Sequence, residues 1–448
     1  MPRSHRSGRS ILRATILSLE ALEGRSLMSV LPAMAHHAAV HHPATHPVHA
    51  QVAAHATTAM KGHHAHPGPA APAGVAHPML RSKAGDFGST TPSAGSLTPA
   101  QIRHIYAFDQ VTNLGAGQTI AIVDAYDAKS IFADADTFDK QFTTTLGGST
   151  SYYSAYGASS TWLSEAYVNN VKPSGNASWG QEISLDVEWA HAIAPQAKII
   201  LVEAASASYA DLLAADKLAV ANGASVISNS WGGSESSAEA ANYDSTFQGP
   251  GSKTFVFSSG DSGVQSYPSE SPYVVSTGGT TLSHDGSFNW SAETSWTSGG
   301  GGLSAYEATP SYQGGLFLAH RGNPDIAYDS DPNTGFAVYD STAYHGSSGW
   351  LQFGGTSDAA PQVSALIAIA NSERVTLHSK PVLDGYLQTL PAIYALTASS
   401  DPTTNTVPLY DVTTGGNSVA SAGPGYDLVT GKGTPRRADL VIAALVAY

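Results

Sequence analysis

Cysteine does not occur among the 448 residues, which excludes disulfides, thiol catalysis and cysteine-held metal sites. Long hydrophobic runs are missing too. Nothing approaches the roughly 18 apolar residues of a spanning helix, so no membrane span is expected. Charge is sparse, at 12% of residues, and unevenly placed. Residues 1–80 hold two acids, Glu20 and Glu23, against six bases, a balance of +4; the rest carries −18, giving −14 overall. An acidic body argues against nucleic acid or an anionic membrane surface as partner, because like charges repel. Usable histidine is scarce as well. Eighteen are present, but twelve fall in the first 80 residues, leaving His104, His191, His284, His320, His345 and His378. None of the six sits in a His-Gly-Thr setting, so a serine nucleophile here has no obvious histidine base.

The chain divides by composition into three parts. Residues 1–35 start with Arg3, Arg6, Arg9 and Arg13, continue through an interrupted apolar stretch, and end at the small-residue run Ala33-Met34-Ala35. They read as an export or sorting segment, and Leu19 to Ser29 resembles an N-terminal segment of exported proteins of some bacteria, which implies a secreted or surface protein of a bacterium. Residues 36–95 are rich in His, Ala, Pro and Gly and poor in large hydrophobes, so a disordered linker is expected. From Ser96 the chain becomes periodic, opening on the helix-start signal Ser96-Leu97-Thr98-Pro99. Strand-like runs at 118–123, 198–202, 225–229, 254–257 and 273–275 then alternate with helical ones. That alternation predicts an α/β domain over 96–448, a mostly parallel sheet with helices on both faces.

Three motifs carry chemistry. Gly354-Gly355-Thr356-Ser357-Asp358 places an exposed serine at a tight turn ahead of the helical run from Val363 to Ala370, with amide dipoles behind it. Gln181 to Pro195 reads as a mostly buried helix on which Glu182 and Asp186, four apart, share one face. Two facing carboxyls cost stability unless one holds a proton, which suits acid–base work. The strand 254–257 runs into Gly260-Asp261-Ser262-Gly263, so Asp261 falls at a strand's carboxyl end, where sites of parallel sheets gather. Taken singly, each has a plain structural reading: a capped turn, a solvated acidic face, an Asx turn.

Taken together, the motifs resemble the sedolisin (serine-carboxyl peptidase) family. Further blocks stand in family order: Ser276 to Leu282, Glu293-Thr294-Ser295-Trp296, Ser298 to Ser304, Pro310 to Gln313 and Asn323 to Ala327. The likeness covers about Leu97 to the C-terminus. It implies a subtilisin-like fold and serine-type endopeptidase activity at acid pH, with proteins or peptides as substrates. It also implies roles: Ser357 as nucleophile, Glu182 as general base, Asp186 as its proton-sharing partner, and Asp261 as donor to the oxyanion. Asp124, after the strand 118–123, stands where some members extend the carboxyl network, and Trp231 resembles the family's Ser-Trp-Gly tryptophan. Asp411 and Asp427 bracket a Gly-rich loop resembling the family's calcium site, and the implied ligands of one Ca2+ are Asp411, Asp427 and the carbonyls of Val412, Gly423 and Gly425. The folded propeptide of most members has no counterpart in the composition of 36–95. A monomer is expected. Two other readings are a catalytically silent binding protein on the same fold and a subtilisin-type enzyme using His191.

Overall fold

Residues 74–86, 88–248 and 253–448 are described by the structure, a computed structural model. The expected export segment, and the linker as far as residue 73, lie outside them. The last part of the expected linker departs from a disordered spacer. Its two short strands, β1 (His77–Pro78) and β2 (Arg81–Ser82), pair antiparallel with the body. Such pairing draws on backbone amides and carbonyls, so it needs none of the large hydrophobes whose scarcity suggested disorder.

The body opens with helix α1 (Pro99–Ile105), capped by Thr98 and Gln101 in a reciprocal capping box. The parallel core of the sheet comprises β3 (Thr119–Ala125), β4 (Leu163–Tyr167), β5 (Lys198–Ala204), β6 (Val226–Asn229), β8 (Thr254–Ser258) and β9 (Val275–His284). They lie in the order β4-β5-β3-β6-β8-β9, all neighbours parallel. β7 (Trp231–Gly232) leaves the sheet just after β6, and β10 (Trp290–Ser295) pairs antiparallel with β9. The strand expected at 273–275 starts only at Val275, because Pro272 and Tyr273 are still in a turn.

Alternate residues of β3 serve the two faces, as period-two geometry requires. Ile120 and Ile122 join a core with α2 (Ile131–Gln141), the short α3 (Tyr152–Tyr156) and α4 (Ala177–Ile193). Ala121, Val123 and Ala125 face α5 (Tyr209–Ala221) in a second core. Asn176 caps α4 by accepting from Ser178 and Trp179 N–H, and every residue from Trp179 to Ile193 is buried. That helix packs along α7 (Thr356–His378), which is preceded, after the short α6 (Glu239–Asn242), by the hairpin β14 (Phe336–Tyr344) and β15 (Ser347–Gly354). Between β10 and β14 lie the short ladder β11 (Gly302–Leu303) with β12 (Gly322–Asn323), and β13 (Ile326–Asp329), parallel to β9. None of the described helices is long and apolar enough to cross a membrane.

Candidate active site

Gly355 sets the geometry from which the site is built. Its φ of +113° is a conformation side chains avoid, and it turns β15 sharply into α7. Ser357 therefore stands in the first turn of α7, where amide N–H groups have no helical partners. Pro361, inside the same helix, has no N–H to give the Ser357 carbonyl. The Ser230 hydroxyl stands 3.5 Å from that carbonyl instead, while bonding Asp186 Oδ1 at 2.8 Å.

Thr356 ties the serine turn to Asp261. Its N–H and hydroxyl both donate to Asp261 Oδ1, at 2.8 and 2.9 Å, and the hydroxyl accepts from Gly260 N–H at 3.1 Å. Asp261 Oδ2 is buried without a hydrogen-bond partner. Burial pushes this carboxyl up to about 6, against the Thr356 N–H, the Arg81 charge and the Thr356 hydroxyl. Glu182, Asp186 and Asp124 are wholly buried, and both oxygens of Glu182 and of Asp124 lack partners. Burial holds Glu182 well above the usual carboxylate range, and the charges of Asp186 and Asp124 add to it. The Ser357 hydroxyl tempers that rise, although no hydrogen bond between the two is formed. Asp186 is raised by burial against the Ser230 bond, and Asp124 by burial, Asp186 and Glu203. The acids expected from the sequence thus gather around one serine.

Ser357 itself departs from expectation. It is 0% exposed rather than open to solvent, because residues 74–83 lie over it and the Met79 carbonyl accepts from its N–H at 3.1 Å. Trp231 is fully buried, with its indole N–H donating to the Val123 carbonyl at 3.0 Å. His191 is engaged elsewhere: its Nε2 is 3.2 Å from Asp139 Oδ2 and its ring stacks on Trp162 at 3.7 Å. Among the described residues no histidine bonds to Ser357. Asp358 escaped the sequence reading. It is completely buried with both oxygens unpartnered and is raised chiefly by burial and by Asp329. Its place directly after the serine was the available signal.

In the C-terminal loop, Asp411 Oδ2 accepts from Gly425 N–H at 2.9 Å, and its Oδ1 is buried without a partner. Asp427 accepts from the N–H groups of Gly423, Val429 and Thr430. No described hydrogen bond reaches the carbonyls of Val412, Gly423 or Gly425. The loop thus keeps hard oxygens in reserve, as a calcium site requires. A second acidic group, Asp127, Glu165 and Glu203, could also hold a metal ion, and Lys172 pairs with two of the three, its Nζ 3.1 Å from both Asp127 and Glu165.

A serine at a helix start, flanked by buried carboxyls at the carboxyl edge of a parallel sheet, defines a serine peptidase of subtilase build. The subtilase family model matches residues 166–405. Kumamolisin of Bacillus sp. (strain MN-32) is 30% identical over a 420-residue alignment, covering 82% of this chain and 68% of that protein. Sedolisin of Pseudomonas sp. (strain 101) is 35% identical over 136 residues, 24% of this chain and 22% of that protein. Among solved structures, Pseudomonas sedolisin, a serine-carboxyl proteinase complexed with two molecules of pseudo-iodotyrostatin, superposes with a TM-score of 0.62 at 26% identity, covering 81% of this chain and 98% of that one. The chain belongs to the sedolisin family of serine-carboxyl peptidases, and is a hydrolase.

Proposed function

We propose that the protein is an acid-acting endopeptidase that cleaves proteins or peptides outside the cell through an acyl-enzyme on Ser357. Ser357 is the nucleophile, Glu182 its general base, Asp186 and Asp124 the groups that share the proton taken up, and Asp261 the oxyanion donor. The observation that carries this reading is the pairing of an unpartnered serine with unpartnered buried carboxyls. A carboxylate accepts a serine proton poorly at its ordinary pKa, and burial beside other acids makes it a stronger base. Three interacting carboxyls titrate as a group, so one of them ionises before the others. Asp261 donates only while protonated, which its pKa near 6 allows in acid and not at neutrality. Its Oδ2, which makes no hydrogen bond and has Arg81 Nε 3.7 Å away, and the Ser357 N–H then act on one oxygen. One calcium ion, held by Asp411, Asp427 and the carbonyls of Val412, Gly423 and Gly425, belongs to the same proposal; it would cross-link the C-terminal loop and take no part in the chemistry.

Hydrolysis of a denatured protein from about pH 2 to 8 tests the reading, since the two carboxyl roles require a bell-shaped profile with an acid optimum. Ser357→Ala should fold and fall to background. An optimum near neutrality or above, or turnover by the alanine variant, would overturn it.

A further inference from the structure

We propose that Asp127, Glu165 and Glu203 form a second calcium site, which shares no residue with the C-terminal loop and does not depend on the peptidase reading.

The three carboxyls come from neighbouring parallel strands. Glu165 lies in β4 and Glu203 near the carboxyl end of β5, while Asp127 stands two residues beyond β3. Tyr126, at a φ of +66°, turns the chain after β3, and the Asp127 N–H donates to the Ser174 carbonyl at 3.1 Å. The loop that follows β4 is thereby tied to the same place. One oxygen from each carboxyl lies within 4.8 Å of one from each of the others. Oxygens that bind one calcium ion at about 2.3–2.6 Å stand at most about 5 Å apart, so the spacing suits a single ion.

Orphaned oxygens point to a cation independently of that spacing. Glu203 is 1% exposed; its Oε1 accepts from the Ala128 N–H at 3.2 Å, but its Oε2 is buried without a partner. Asp127 Oδ1 is also buried and makes no hydrogen bond, although Lys172 Nζ lies 3.1 Å from it. Buried carboxylates are costly unless they are paired or coordinate a metal.

Lys172 marks where positive charge is wanted without supplying enough of it. One ammonium, 3.1 Å from Asp127 and from Glu165, balances one of three carboxylates. Its side chain is 44% exposed and lies over the Tyr167 ring at 5.3 Å, so it can swing into water as an ion enters. The group offers hard oxygens alone, with no nitrogen or sulfur to favour zinc. Flexible carboxylates fit calcium's loose geometry better than the strict octahedron of magnesium. Bound there, the ion would cross-link the end of β3 to β4 and β5. Asp124 is the register partner of Glu203, so the brace falls beside the proposed carboxyl network.

Calcium binding to the full chain tests this, in the Ser357→Ala form so that no peptidase activity intervenes. After chelation, calorimetric titration with calcium alone near neutrality should count two ions. Asp427→Ala should leave one, Glu203→Gln should leave one, and the two changes together should leave none. Lys172→Ala should tighten the second ion roughly fivefold, the strength of one exposed ion pair that calcium no longer has to displace. A lysine that is itself the lasting counter-ion predicts the reverse: its removal lowers the thermal midpoint and gains no calcium affinity. One ion that survives Asp427→Ala and is lost with Glu203→Gln upholds the inference and leaves the C-terminal loop without a metal. No ion in the Asp427→Ala form, a second ion that survives Glu203→Gln, or a Lys172→Ala form that binds calcium no tighter overturns it.

Discussion

Asp261 offers a test in which stability, rather than turnover, reports the site. Its pKa is raised from 3.8 to about 6, and burial is the main cause. In the unfolded chain an aspartate titrates near ~3.9, so the native state keeps a proton that the unfolded state has lost over roughly two pH units. At 1.36 kcal/mol per unit, ~3 kcal/mol is at stake. The sign follows from which state binds more protons. This contribution is fully present below about pH 4 and is lost as pH rises through about 6, so Asp261 favours the fold in acid and opposes it at neutrality. Asp261→Asn removes the titration: the amide oxygen still accepts from Thr356 and the NH2 replaces the acid proton.

The comparison is best made between Ser357→Ala and the Ser357→Ala/Asp261→Asn double variant, so that neither can digest itself. Urea unfolding at about pH 4 and pH 7 gives the two stabilities from midpoint and slope. Relative to its aspartate counterpart, the asparagine form should gain ~3 kcal/mol on going from acid to neutral pH. Asp186 and Asp124 are common to both; Glu182 and Asp358 are too, but the Asp261 charge helps raise them, so the asparagine form also relieves that small part. Parallel pH curves would show that Asp261 titrates normally and would refute the burial argument.

Two further outcomes are expected. Whatever activity Asp261→Asn retains should lose the alkaline fall expected of the wild type above about pH 6, because an amide donates at any pH; a fall at the same pH would shift that limb to another group. Removing calcium with a chelator, or Asp427→Ala, should lower the thermal midpoint, since an ion bound only by the native state at a hundredfold excess over its Kd stabilises it by ~3 kcal/mol; an unchanged midpoint would leave the loop without a metal.

Most of the proposed catalytic cluster was legible because its geometry is local. Glu182 and Asp186 share a face by helical spacing, Asp261 ends a strand, and Ser357 follows a glycine turn; each relation is fixed within about ten residues. What joined them was order along the chain, and the fold brings the three segments to one edge. Supporting blocks behaved likewise. Glu293 accepts from Tyr106, Thr280 and Trp290, and Asp325 pairs with the buried Arg321 at 2.7 Å, so these motifs brace the sheet. Asp358 was missed because its meaning lies in burial against Asp329, which arrives from another strand.

The pairing of residues 74–83 with the body was illegible for a different reason. Its affinity for the body comes from main-chain groups that every residue carries, so Gly74 to Lys83 has no side-chain motif to find. The sequence reading weighed the segment by its hydrophobes and found too few to bury a core, which is true of a core and irrelevant to strand addition. What marks the segment is its place at the site: Ser357, the proposed nucleophile, is completely covered, and the covering peptide presents the Met79 carbonyl to its N–H.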